Sequence, residues 1–190
     1  KAIDIMGSKT DADIQVLAIP GQRHPTITDY AITAVENRFD SIFIMDIESR
    51  DSINTTITSS VQNAHIKNTI EDFKNRSLDS SFAAAYFPDV VITDPDKKSS
   101  VSVPPSVAVL GALSFNDAVG HPWFAPAGFS RGGLSSVIKS SIKFSKSNLD
   151  GLYNERINPL TDFPGTQVVV WGQKTLQKAA SALDRINVRR

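Results

Sequence analysis

The stretch IQVLAIPGQRHPTITDYAITAVENRFDSIFIMDI, residues 14–47, decides the fold class. It opens with an apolar, β-branched run at 14–19, closed by a Pro-Gly turn, which is typical of a buried strand. Between 26 and 39 the apolar residues recur at helical spacing. A second apolar run at 41–47 predicts another buried strand. The order strand, helix, strand is that of a unit in a parallel sheet.

The same alternation continues along the chain. A helix is predicted at 52–66, where one helical face carries Ile53, Ile57, Val61 and Ala64. Its many Ser and Thr residues make it an intrinsically weak helix. The run at 81–87, ended by Pro88, predicts a third strand. Strand–helix alternation over 14–93 therefore predicts an α/β fold with a mostly parallel or mixed sheet flanked by helices.

The middle of the chain is more polar and richer in proline. Residues 94–102, DPDKKSSVS, predict a solvated linker. Pro104 and Pro105 then open a helix, because proline is tolerated where the first N–H groups have no partner. Its buried face is expected to carry Val107, Leu110 and Gly111. A Pro/Gly-rich loop is expected at 120–133.

The last part of the chain predicts one further strand and one helix. The run TQVVVWG, 166–172, reads as a strand that ends at Trp171. The segment 175–186 has an amphipathic helical pattern, and Thr175 is a suitable residue to cap it. The apolar positions of that pattern are Leu176, Ala179, Ala180 and Leu183.

The composition narrows the function classes. The 190 residues carry 20 basic and 20 acidic side chains, so nothing in the net charge directs the chain to nucleic acid or to an anionic membrane. There is no cysteine, which excludes disulfides and thiolate metal sites. No apolar run approaches the roughly 20 residues of a membrane helix.

The ends of the chain suggest a fragment. The chain begins at Lys1 and ends at Arg190, and its last residues, NVRR, resemble an end produced by a trypsin-like protease. We therefore expect one α/β body, 1–190, that is a fragment of a longer protein, either a protease-resistant core or a piece cut by design.

The segment PAGFSRGG, 126–133, contains the G-x-S-x-G pattern of a nucleophile elbow, which makes Ser130 a candidate nucleophile of a serine hydrolase. Two prolines precede it where the elbow needs a buried strand. All three histidines (His24, His65 and His121) come before the serine, whereas in α/β-hydrolases the histidine follows it. These features favour a Gly-rich structural loop, and the hydrolase is kept as an alternative.

The sequence gives little support for a metal site or a nucleotide-binding site. The histidines are isolated and show no metal-binding spacing. The first strand is followed by PGQRHP, which lacks the glycine pattern of a phosphate-binding turn. Asp46 ends the second strand, where a carboxylate can hold a metal or a ribose but more often caps a loop. We predict no catalytic, cofactor or metal residue, and an α/β ligand-binding module remains a second alternative.

Charged residues are distributed unevenly. An acidic region at 29–51 includes Asp29, Glu36 and Asp40, whereas the basic residues Lys178, Arg185, Arg189 and Arg190 lie near the C-terminus. Ordinary solvated surfaces explain most such residues. The opposite signs also permit head-to-tail contacts between copies of the chain.

Four segments together resemble the contractile tail sheath proteins of myophages and related contractile injection systems. They are AAAYFPDVVITDP (83–95), VPPSVAVLGALSFNDAVGHPWFAPAG (103–128), INPLTDFPGTQVVVWGQKTL (157–176) and INVRR (186–190). The strand–helix–strand at 19–47 is similar as well. The motif residues that carry the resemblance are Pro104, Pro105, Trp123, Pro126, Gly128, Pro159, Trp171, Gly172 and Thr175.

This resemblance implies a structural role without an enzyme or a cofactor. Sheath subunits pack as rings around a tail tube, and they contract by rigid-body rearrangement when the baseplate triggers them. The partners expected are other copies, the tube and the baseplate, with no nucleic acid and no membrane. The place expected is the virion tail, after assembly in the host cytoplasm. The resemblance also implies that Gly128 and Gly132 serve the backbone of a loop, and that Trp123 and Phe124 anchor it on the core.

In the family, terminal arms link neighbouring subunits. Both arms are expected to be missing from this chain, which leaves body-to-body contacts between charged faces. Exposed ion pairs contribute only about 0–1 kcal/mol each. We therefore expect the 190-residue chain to be a monomer in dilute solution.

Overall fold

The structure is a computed structural model, and it describes residues 1–57 and 64–190. The strands are β1 (Val16–Ala18), β2 (Ile42–Asp46), β3 (Ala83–Phe87), β4 (Val90–Thr93), β5 (Ser100–Val103), β6 (Val137–Ser140), β7 (Ile157–Asp162) and β8 (Val168–Val170). The α-helices are α1 (Ala2–Gly7), α2 (Pro25–Arg38), α3 (Ile66–Asn75), α4 (Pro105–Val119), α5 (Gly128–Arg131), α6 (Lys146–Asn154) and α7 (Ile186–Arg189). A 3-10 turn at Ala182–Asp184 precedes α7.

Two sheets organise these elements. The central sheet has five strands in the order β1–β2–β3–β7–β8. Its first four strands run parallel, and β8 is antiparallel to β7. The second sheet is antiparallel, with the order β5–β4–β6. The predicted α/β fold with a mostly parallel sheet flanked by helices is confirmed.

The central sheet is covered on both faces, which explains why its strands are apolar runs rather than alternating sequences. Successive side chains of a strand point to opposite faces. In β2, Phe43 and Met45 therefore join one core with residues of α2, α3 and α6. Ile42 and Ile44 join the other core, beneath α4 and the second sheet.

The helix predicted at 52–66 is wrong in its position. The helix begins at Ile66, and residues 51–55 form a turn because the Oδ1 of Asp51 accepts hydrogen bonds from the N–H groups of Ile53 (3.0 Å) and Thr55 (2.8 Å). Such local side-chain bonds compete with helix formation. Ile53 is 80% exposed instead of buried. Val61 of the predicted face lies outside the described residues.

The helix predicted at 175–186 is wrong. The N–H of Leu176 donates to the carbonyl of Ala83 at 2.9 Å, and the N–H of Thr175 donates to the carbonyl of Asp184 at 2.9 Å. These bonds tie the segment to β3 and fold it back on itself, so tertiary contacts override the helical pattern. Leu176 is buried, whereas Leu183 is 43% exposed.

Two segments predicted to be irregular contain regular structure. The second half of the expected linker 94–102 belongs to β5, which forms a hairpin with β4 around a turn closed by the N–H of Asp94 and the carbonyl of Ser99 at 2.8 Å. The loop 120–133 contains the short helix α5. Both β5 and α5 contain only four residues, which is too few to show a period in the sequence.

The buried face predicted for α4 is also wrong. Val109, Ala112 and Leu113 face the core, while Val107 and Gly111 are exposed and Leu110 is half-buried. Proline does open the helix as predicted, with Pro104 at the N-cap and Pro105 next to it. Across the described residues, the helices lack the combination of length and apolar character that crossing a bilayer requires.

Candidate functional site

Ser130 lies on the exposed side of α5, after a loop rather than after a strand. Two of the three histidines are engaged elsewhere in the described structure. The Nδ1 of His65 accepts from the N–H of Asn68 at 3.3 Å, and the ring of His121 stacks on Trp123 with 4.4 Å between centroids. Within the described residues, none of the hydrogen bonds joins Ser130 to a histidine, so the geometry supplies no base for a serine nucleophile.

The glycines around Ser130 have a backbone role. Gly128 has φ +80, a conformation that L-residues with a side chain rarely adopt. A Cβ on Gly132 would lie 2.7 Å from the Cα of Ala127, so no side chain fits there. The carbonyl of Gly132 accepts from the N–H of Val170 at 2.7 Å, which fastens the loop to β8. The G-x-S-x-G pattern thus serves a tight turn against the sheet.

Asp46, at the carboxyl end of β2, is a buried structural cap. Its Oδ1 accepts from the N–H of Ser106 at 2.8 Å, and its Oδ2 accepts from the hydroxyl of Ser106 at 2.8 Å and from the N–H of Gly21 at 2.9 Å. The carboxylate occupies the N-terminus of α4, where a phosphate would otherwise bind. The loop-capping interpretation of Asp46 therefore holds.

A groove of about 910 Å³ lies at this edge, between the loops that follow β1, β2 and β3. Ligands of α/β folds commonly bind at such an edge. Its charged lining residues are Arg23 and Asp89, which form an ion pair with each other, and Glu48, which pairs with Arg50. Burial raises the pKa of the Asp89 carboxyl above its usual value, against the opposing effect of Arg23. Among the described residues, groups of three or more His, Asp or Glu suited to a metal are absent.

The proline and glycine motifs join distant strands. The carbonyl of Pro159, in β7, accepts from the N–H of Trp171 at 2.8 Å. A Cβ on Gly172 would lie 2.7 Å from the Oδ1 of Asn158. The hydroxyl of Thr175 donates to the carbonyl of Leu183 at 2.9 Å, so Thr175 closes a loop and does not cap a helix. Pro126 is buried beside α5.

Asn158 is the residue that sequence reasoning missed. Its buried side chain donates to the carbonyls of Ala85 (3.1 Å) and Lys174 (2.8 Å), and it accepts from the N–H of Lys174 at 2.7 Å. It thereby links β3, β7 and the segment after β8. The available signal was the pair of motifs N-P-L and W-G, whose Asn158 and Gly172 meet in space.

A family model matches this sequence. The model for the phage tail sheath protein central domain matches residues 2–176. The chain belongs to the phage tail sheath protein family. The resemblance predicted from the four motif segments is confirmed.

Two curated relatives are tail sheath proteins of phages. The protein of Vibrio phage KVP40 is 41% identical over 88 residues, which cover 46% of this chain and 13% of the relative. The protein of Enterobacteria phage T4 is 40% identical over 97 residues, which cover 50% of this chain and 15% of the relative. The matched stretches thus span less than a fifth of either relative.

Solved sheath structures share the fold. The sheath complex of the extracellular contractile injection system PVC, in the contracted state, superposes with a TM-score of 0.66 at 20% identity, covering 94% of this chain and 44% of that chain. The helical sheath of the anti-feeding prophage in the contracted state gives 0.62 at 24% identity, covering 93% and 43%. At such identities the likeness establishes the fold.

The tryptophans of the sheath motifs are less buried than expected. Trp123 is 62% exposed, so it does not anchor its loop in the core. Trp171 is 39% exposed and packs with Phe129 and Phe163 at centroid distances of 5.3 and 4.8 Å. Both tryptophan rings therefore lie at the surface of the body.

Most of the charged residues proposed for contacts between copies are engaged within the chain. The contacts are Asp29 with Arg76, Asp40 with Arg38 and Lys9, Arg185 with Asp184, Arg189 with Phe39 and Phe82, and Arg190 with Asp117. Within the part of the chain that the structure describes, the side chains of Glu36 and Lys178 have no ion-pair partner. Charge matching between copies stays a prediction, centred on these two residues.

Another surface feature is the side of α4 that faces away from the sheet. We call it the α4 outer face, and it comprises Val107, Gly111, Ser114, Phe115, Ala118 and Val119. Phe115 is 55% exposed and Val119 is 61% exposed. The face contains no charged residue, although solvent-facing sides of helices normally do.

Proposed function

We propose that this chain is the body of a structural tail sheath subunit. In this role it packs with other copies as rings around a tail tube, and it contracts by rigid-body rearrangement to drive the tube into the host envelope. Its partners are other copies, the tube and the baseplate, and its place is the virion tail after assembly in the host cytoplasm. The observation that carries the proposal is the family match over residues 2–176.

The fold supports a body that moves as one piece. Both faces of the central sheet are covered, and hydrogen bonds donated by Asn158 and accepted by Asp46 join elements that are far apart in sequence. Well-packed interiors deform little, so motion is concentrated at contacts between bodies. The work of contraction then comes from exchanging one set of inter-subunit contacts for another.

No chemical step is needed in this role. The curated relatives are tail sheath proteins, and within the described residues none of the hydrogen bonds joins Ser130 to a histidine. We expect Ser130→Ala to leave folding and assembly unchanged. Selective labelling of Ser130 by a covalent serine probe would contradict this.

The test uses the full-length protein that contains this chain. Purified with its tube protein, it should form helical particles by electron microscopy, and the 190-residue body should fit the repeating density around the tube. A full-length protein that stays monomeric in the presence of the tube, or a map with no density for this body, would overturn the proposal.

A further inference from the structure

The strongest unexplained feature of the body is the α4 outer face. The outward residues of α2, α3 and α6 are mostly polar and include charged ones, such as Asp29 on α2, Lys67 and Glu71 on α3, and Lys146 and Asp150 on α6. The exposed aromatic residues of these helices are Tyr30 and Tyr153, whose hydroxyl and ring contact Asp4 and Lys174. A helix that is apolar all round is normally buried on all sides. In α4, only the side with Val109 and Leu113 is buried.

We propose that the α4 outer face binds a second copy of this chain, through a different surface of that copy. The inference rests on the proposed function, since rings and helical arrays are built from contacts between unlike surfaces of identical subunits.

The chemistry of the face selects a protein partner. Residues 105–119 contain no Lys or Arg, whereas a helix that lies on lipid carries basic residues on its polar side. Their one charged residue, Asp117, pairs with Arg190 of the same chain. The face therefore offers apolar contact without charge steering.

The shape of the α4 outer face can accommodate a side chain that projects from a neighbouring protein. A Cβ added to Gly111 would meet no atom within 4 Å, so the helix surface has an open notch there. Phe115 lies one turn further along and projects beside that notch. A notch beside a large apolar side chain can accept an apolar residue of a neighbour.

A second copy of the chain has a net charge and exposed apolar residues that suit the α4 outer face. The formal net charge of the chain is zero, so copies approach one another without net repulsion. Each copy also exposes apolar residues away from α4, with Ile5 at 52% and Met6 at 40% on α1. Since α1 packs on α2, these residues lie across the sheet from α4.

The size of the face explains why it suits an array rather than a dimer. The α4 outer face has six residues, whereas a standard interface has about 20–30 residues on each side. A stable pair of chains needs about 800 Å² on each partner. One such contact leaves free copies dissociated, while several contacts per copy in an assembled sheath act together.

The experiment uses single cysteines, because the chain has none of its own. Ser114→Cys places a thiol at the centre of the α4 outer face, and Lys67→Cys places the matched control on the outer side of α3. Each is introduced into the full-length protein with any other cysteine replaced. The rate of maleimide labelling is measured on free protein and on particles assembled without other proteins.

We expect assembly to slow labelling of Ser114→Cys by about tenfold or more, because the core of an interface excludes water, and to leave Lys67→Cys nearly unchanged. A photo-crosslinker attached to Ser114→Cys should give a product with the mass of two copies. Equal labelling before and after assembly would overturn the inference and leave the proposed function standing.

Other occupants are separate outcomes of the same experiment. Protection that appears only with tube protein, or only with vesicles of phosphatidylcholine and phosphatidylglycerol, would assign the face to another partner and overturn the inference. Failure of the unmodified full-length protein to assemble, even with its tube, would overturn the proposed function and the inference with it.

Discussion

Helices α3 and α4 lie on opposite faces of one sheet and are anchored alike, yet they show opposite chemistry to solvent. α3 buries Phe73 and exposes Lys67 and Glu71, the usual arrangement for a helix at a protein surface. α4 buries Leu113 and exposes Phe115. The difference shows that the residues on the buried side of a helix depend on packing within the fold. The residues on its exposed side depend on what the assembled protein places against them.

The largest expected effect tests whether both helices are anchored equally. Phe73→Ala should lower the free energy of unfolding by about 3–5 kcal/mol and Leu113→Ala by about 2–5 kcal/mol, because both side chains are buried and their loss leaves cavities. Urea denaturation of the 190-residue chain measures both. If either loss stays near zero, that helix is not docked as described and the comparison fails.

Substitutions at the N-termini of the two helices should lower stability by more unequal amounts than substitutions at their buried sides. Asp46→Ala removes a buried carboxylate that accepts three hydrogen bonds at the start of α4, and should cost about 2–3 kcal/mol. His65→Ala removes the exposed cap of α3 and should cost about 1 kcal/mol or less. Thermal unfolding of the two variants side by side gives the order. A larger loss for His65→Ala would show that the buried cap is dispensable.

The parts of the fold with a clear period were predictable. The strand at 41–47 and the helix at 26–39 are found as β2 and α2 within a few residues. In α4 the apolar residues surround the helix, so periodicity carries no information about its buried side. The predicted buried residues Val107 and Gly111 are therefore exposed.

The contacts that tie the body together were beyond sequence reasoning. The helical pattern at 175–186 competes with the bond from the N–H of Leu176 to the carbonyl of Ala83, whose partner is about ninety residues away. Asn158 links two strands and a loop through one buried amide. Such pairings depend on the tertiary arrangement, whereas the family resemblance depends only on the order of motifs.

A smaller effect on stability is expected from a substitution at one backbone position of α4. Gly111→Ala should raise the free energy of unfolding of the isolated chain by about 0.5–1 kcal/mol, because glycine weakens a helix interior and the new methyl group meets nothing within 4 Å. The same methyl group should hinder assembly of the full-length protein by filling the notch. Calorimetry of the chain and sedimentation of the full-length protein measure the two effects. Destabilisation of the chain would show that the notch is covered within the subunit.

The smallest expected effect on the isolated chain is also the sharpest test of the comparison. Ser114→Lys and Lys67→Ser exchange a residue between the outer sides of α4 and α3. Both positions are exposed, and surface substitutions of this kind usually change stability by no more than about 0.5 kcal/mol, so both chains should unfold like the unmodified one. In the full-length protein the two substitutions should have different effects on assembly. A charge placed in the α4 outer face loses water without gaining a partner, so Ser114→Lys should abolish assembly, while Lys67→Ser should leave it intact. Equal assembly of both variants, measured by sedimentation and electron microscopy, would mean that the apolar outer face of α4 has no role in contacts between copies.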